Sequence, residues 1–64
     1  MNIRLGEKLP ALLPTGEFAE VMVTEQMGPD KFTVVTRNVY KIKGIETNLF
    51  TAEVRPVLVI TKIR

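Results

Sequence analysis

The residues with the clearest chemistry lie in the second half of this chain. Lys31 and Arg37 bracket one stretch of alternating residues, Lys41 and Lys43 share a face of the next, and Lys62 and Arg64 end the last. Phe32, Tyr40 and Phe50 lie among them. Cationic side chains take phosphates, and aromatic rings stack on unpaired bases. Lys31, Arg37, Tyr40, Lys41, Lys43, Lys62 and Arg64 therefore form a candidate surface for single-stranded nucleic acid. A plainer reading stands beside this one. Phe32 alternates with Val34 as a core residue does, and lysines on a strand edge discourage sheet-to-sheet aggregation.

What the chain lacks narrows the chemistry further. It contains no Ser, His, Cys or Trp. The usual nucleophile–base sets for acyl transfer cannot be built from it, and disulfides and thiolate metal sites are excluded. Gly6, Gly16, Gly28 and Gly44 are isolated, so no phosphate-cradling loop is present. Glu20 and Glu25 are an odd number of residues apart, and a regular strand sends such a pair to opposite faces. The reading is a non-enzymatic binding module that needs no metal and no cofactor.

Charge is unevenly spread along the 64 residues, although the net is only +2. Residues 1–30 set Arg4 and Lys8 against Glu7, Glu17, Glu20, Glu25 and Asp30, a net of −3. Residues 31–64 carry +5, with Arg55 joining the basic residues above against Glu46 and Glu53. Such polarity attracts polyanions when it gathers on one face. It disappears in space when acidic and basic strands pair. No apolar run reaches the ~20 residues of a membrane span. Glu7, Lys8 and Pro10 interrupt any signal-peptide core. A cytoplasmic domain is expected.

The elements that must position these side chains are strands. Ala19, Val21 and Val23 alternate with Glu20, Thr24 and Gln26, the period-two signature of a strand over Phe18–Gln26. Met27-Gly28-Pro29-Asp30 is turn chemistry, and Lys31–Arg37 returns from it as the other arm of a hairpin. Arg37-Asn38 predicts a tight turn into Val39–Lys43, and Gly44 predicts a bulge before Ile45–Thr47. Asn48–Arg55 reads as a helical turn or a crossing loop. Val57–Ile63 is the most strongly strand-like stretch. Val57, Leu58, Val59 and Ile60 are apolar on both faces, which predicts a central position, closure of the sheet, or a partner on the outer face.

Residues 1–16 read as an irregular lead-in. Met1–Leu5 fits a short strand with Ile3 and Leu5 inward, and Leu9–Leu13 fits one helical turn because Pro10 suits a first helical position. Residues 17–64 then supply the strands. The expected fold is a single all-β domain, a small five-stranded antiparallel barrel of OB-like or SH3-like type. A core this small leaves self-association, as a homodimer, the expected source of extra stability. If the basic face is not the binding surface, the alternative is a protein-interaction or assembly module. That module would use strand edges and the apolar outer face of Val57, Leu58, Val59 and Ile60.

The run Thr15-Gly16-Glu17-Phe18-Ala19-Glu20-Val21, two shorter strands, an irregular crossing and the closing Val57–Ile63 resemble two groups in layout. One is the bacterial initiation-factor and cold-shock group. The other is the small β repeats at the N-terminal end of flagellar hook-length control proteins. Either resemblance implies a compact β module. Two departures are plain. Phe32-Thr33-Val34-Val35 offers one aromatic where cold-shock strands carry several, and Arg37-Asn38-Val39 stands where the hook-length repeats place glycines. The resemblance transfers no site residue.

Overall fold

The computed structural model describes residues 2–63, and five strands account for most of them. They are β1 Lys8–Leu12, β2 Phe18–Gln26, β3 Lys31–Ile42, β4 Ile45–Val54 and β5 Leu58–Ile63. The described residues contain no helix. Consecutive strands pair antiparallel, and β1 meets β5 to close a ring. A ring of five strands in sequential order must close between two strands running the same way, and β1 and β5 do pair in parallel. The pairing is slight, with Leu12 opposite Val59 as its one register position among the described residues. Sequential order also departs from the Greek-key order of an OB-like barrel.

Alternation decides which side chains fill the ring. Val21 and Val23 of β2, Phe32 and Val34 of β3, Phe50 and Ala52 of β4, and Leu58 and Ile60 of β5 are buried, and each pair is two residues apart. Ala11 and Leu13, from β1 and the residue after it, and Ile42 at the end of β3 complete the core. Phe50 sits at its centre, paired across the sheet with Val34 on one side and Ile63 on the other.

The lead-in differs from its sequence reading. Leu9–Leu13 is not a helical turn, because Lys8–Leu12 is a full ring strand. The Val23 N–H donates to the Glu7 carbonyl at 3.0 Å, and the Leu13 N–H to the Glu17 carbonyl at 2.7 Å. Odd-numbered residues of β1 thus carry the ladder to β2, so Pro10 turns its missing N–H toward the β5 side, where little pairing occurs. Asn2, Ile3 and Arg4 form no strand, and Met1 lies outside the described residues. Ile3 packs against the core as expected, whereas Leu5 is exposed in a turn.

The turn expected at Arg37-Asn38 is absent, since β3 runs unbroken to Ile42. The chain instead bulges there: Val35 faces Leu49, and the next paired residues are Tyr40 and Thr47. Asn38 is followed by Val39, so the Asn-Gly pairing that favours a two-residue hairpin turn is lacking. Lys43-Gly44 meets that requirement, with φ of 53° and 81° between the paired Ile42 and Ile45. Gly44 is therefore a hairpin turn residue and not a bulge. The Asn48–Arg55 stretch is strand to Val54, because Phe50, Ala52 and Val54 alternate inward.

The β3 bulge is held by its neighbours. The buried Thr36 hydroxyl donates to the Asn38 carbonyl at 2.6 Å, with the Asn48 carbonyl at 3.5 Å, and Asn48 Nδ2 donates to the Thr36 carbonyl at 3.4 Å. Thr36→Val keeps the shape and removes the part-buried hydroxyl donor from the Asn38 and Asn48 carbonyls. Urea unfolding of this variant is expected to show a loss of roughly 0.5–1.5 kcal/mol, the net worth of such a hydrogen bond. Thr24→Val, which removes an exposed hydroxyl from β2, is the control expected to stay within about 0.5 kcal/mol.

Candidate functional site

The structure distributes the candidate basic residues around the ring. Lys31 and Lys41 lie opposite Glu53 and Glu46 in the β3–β4 ladder. Arg37 projects from the bulge into a cleft of about 410 Å³, shared with Lys8, Glu20, Met22 and Val35. Tyr40, opposite Thr47, is half-buried and packs against the core. Lys43 and Lys62 are brought together on one cleft of about 370 Å³, beside Pro14, Ile42, Ile60 and Ile63. Arg64 lies outside the described residues. Of the candidate aromatics, Phe32 and Phe50 are core residues.

Acidic and basic side chains interleave where the strands pair. Arg55 Nη2 donates to Glu53 Oε1 at 2.7 Å, and the Thr61 hydroxyl lies 3.4 Å from Glu53 Oε2. The Arg55 hydrogen bond holds the Glu53 carboxyl below its ordinary value of 4.5, against partial desolvation. The charges of Arg55 and Lys31 and the Thr61 hydroxyl act in the same direction as that bond. A carboxyl whose pKa falls on folding adds stability above its unfolded value, and that stability is lost as pH drops through the folded value. The difference in melting temperature between the wild type and Glu53→Gln is therefore expected to be present at neutral pH and to shrink as pH falls below 4.5. A difference that ignores pH would contradict this account. Glu20 and Glu25 are both exposed, because a bulge between Val23 and Glu25 shifts the phase and undoes the odd-number rule. Among the described residues, no three His, Cys, Asp or Glu side chains gather as a metal site.

The expected interface strand resolves into two faces. Leu58 and Ile60 belong to the core, while Val59 is half-buried on the outside and Val57 is 41% exposed. Register then continues an outer row across the seam. Val59 faces Leu12 of β1, and Leu12 faces Phe18 of β2. Phe18 is 59% exposed, the most open aromatic ring among the described residues. Beside it lies a groove of about 330 Å³ lined by Ile3, Leu9, Pro10, Val57 and Leu58, with Glu7 also on its wall. Sequence reasoning missed Phe18. The signal was available, since Phe18 is in phase with Glu20 and out of phase with Ala19, Val21 and Val23.

No helix among the described residues is long and apolar enough to cross a membrane. Comparison of the chain with models of protein families, with curated proteins and with solved structures finds no match.

Proposed function

We propose that the chain is a non-enzymatic assembly module that pairs with a second copy of itself through the apolar outer face of the β1–β5 seam. The observation that carries this reading is Phe18, an exposed phenylalanine aligned with Leu12 and Val59 across the seam. Val57 and Pro10 extend the same apolar surface. The row from Phe18 to Val59 itself carries no charge, which favours its meeting the same row of a second copy about a two-fold axis. The chain exposes 4424 Å². A standard interface takes about 800 Å² from each partner, under a fifth of that surface. Sequential strand order favours the SH3-like over the OB-like description of the ring. A cytoplasmic location belongs to the same proposal.

Sedimentation equilibrium from micromolar to millimolar protein tests the reading. The mass is expected to rise toward that of two copies, with little dependence on salt. Phe18→Ser should remain a single copy while keeping the wild-type circular dichroism spectrum. Single copies at every concentration, or a dimer that survives Phe18→Ser, would sink the proposal. The second reading is nucleic-acid binding through the basic residues, favoured by the Lys43–Lys62 cleft. It requires binding of a labelled single-stranded oligonucleotide that weakens steeply as salt rises.

A further inference from the structure

We infer that the cleft between β5 and the β3–β4 hairpin tip takes an extended acidic peptide of a partner protein as an added strand. This surface is separate from the Phe18 face, and the inference does not rest on it. The first support is the backbone. β5 pairs with β4 from Leu58 to Ile63, but β1 reaches it only at Val59 and ends at Leu12. Beyond Val59, Ile60–Ile63 has no paired register position on its β1 side among the described residues. Along such an edge, alternate N–H and C=O groups point outward and can pair with an incoming chain.

The second support is the lining. Ile42, Ile60, Ile63 and Pro14 give the cleft an apolar floor, and Lys43 and Lys62 are the charged side chains on its wall. Carboxylates accompany the cations elsewhere: Glu53 faces Lys31 and bonds Arg55, Glu46 faces Lys41, and Glu20 shares the cleft of Lys8 and Arg37. Among the described residues, no acidic side chain lines the β5 cleft. Its two cations are thus left for a ligand. An added strand sends alternate side chains to opposite sides, so an apolar residue can meet the floor while the next presents a carboxylate to a lysine. A nucleic-acid strand fits less well, because no aromatic ring on which a base can stack lines the cleft among the described residues.

The test uses the full chain and three labelled probes: an alternating Glu-Val peptide, an alternating Lys-Val peptide and a single-stranded oligonucleotide. Fluorescence anisotropy is expected to detect the Glu-Val peptide in preference to both others. Amide shifts in a ¹H–¹⁵N spectrum should centre on Ile60–Ile63. Backbone N-methylation of the peptide should abolish binding, since an added strand depends on main-chain hydrogen bonds. Lys62→Gln and Lys43→Asn should each weaken binding roughly two- to fivefold, the range for one exposed charge pair. Lys43→Asn also guards against misfolding, because Asn-Gly suits the turn that Lys43-Gly44 now makes. Phe18→Ser should bind the peptide as the wild type does, which separates this inference from self-assembly. Equal binding of the Glu-Val and Lys-Val peptides, preference for the oligonucleotide, shifts centred on Phe18, or tolerance of N-methylation would each overturn it.

Discussion

Phe50→Ala is expected to leave the chain largely unfolded at room temperature. Phe50 has no solvent exposure and lies between Val34 and Ile63 at the middle of the ring. Removing a buried phenylalanine costs about 3–5 kcal/mol, from lost transfer free energy and from the cavity left behind. A single core in a chain of this length supplies roughly 3–5 kcal/mol in total. The loss therefore matches the whole margin, and no second core stands in reserve. Far-UV circular dichroism and amide dispersion, measured at the lowest workable concentration, would check it. At that dilution self-association adds nothing to the apparent stability. Cooperative urea unfolding at the wild-type midpoint would contradict the central role of Phe50. Phe18→Ala offers the contrast, because Phe18 is an exposed ring and its truncation leaves no comparable cavity.

The two phenylalanines also mark how far the fold can be read from the sequence. β2 and the first half of β3 announce themselves by strict alternation around turn residues, and their hairpin forms as expected. β1 does not. Its proline reads as a breaker until the ring is known, because only then does Pro10 face a seam where its N–H is not needed. β4 was concealed for a related reason. Asn48 and Leu49 precede Phe50, and the inward set of Phe50, Ala52 and Val54 is too short to outweigh them without a partner strand. The bulge at Arg37–Val39 and the turn at Lys43-Gly44 reverse the roles assigned to those breaks. Local signals named the breaks correctly, whereas the long β3–β4 ladder chose which became the turn.

The site was less legible than the fold, because charge along a sequence does not specify charge in space. The second half of the chain is basic, yet β3 and β4 both belong to it and pair Lys31 with Glu53 and Lys41 with Glu46. Register alone sets that neutralisation. The bulges act similarly, since each shifts the phase by which a side chain's face would be counted. Phe18 escaped notice because it opens a strand whose remaining outward residues are mostly polar. Its significance depends on Leu12 and Val59, residues distant in sequence that the closing seam brings into one row.

That seam gives the second large prediction, which separates two neighbouring residues of one apolar run. Leu58→Ala is expected to destabilise the chain by about 2–5 kcal/mol, because Leu58 is 1% exposed and fills the core opposite Val54. Val57→Ala, one residue earlier and 41% exposed, should fall within about 0.5 kcal/mol of the wild type in the same urea titration. Self-association should behave in the opposite way. Val57→Ala removes apolar surface beside Phe18 and should weaken the dimer, while whatever fraction of Leu58→Ala stays folded keeps the outer row of Phe18, Leu12 and Val59 intact. If Val57→Ala unfolds the chain as readily as Leu58→Ala, both faces of this stretch are core and the outer face at the seam does not exist. If Val57→Ala leaves both stability and dimer mass unchanged, Val57 lies outside the interface, and the contact narrows to Phe18, Leu12 and Val59.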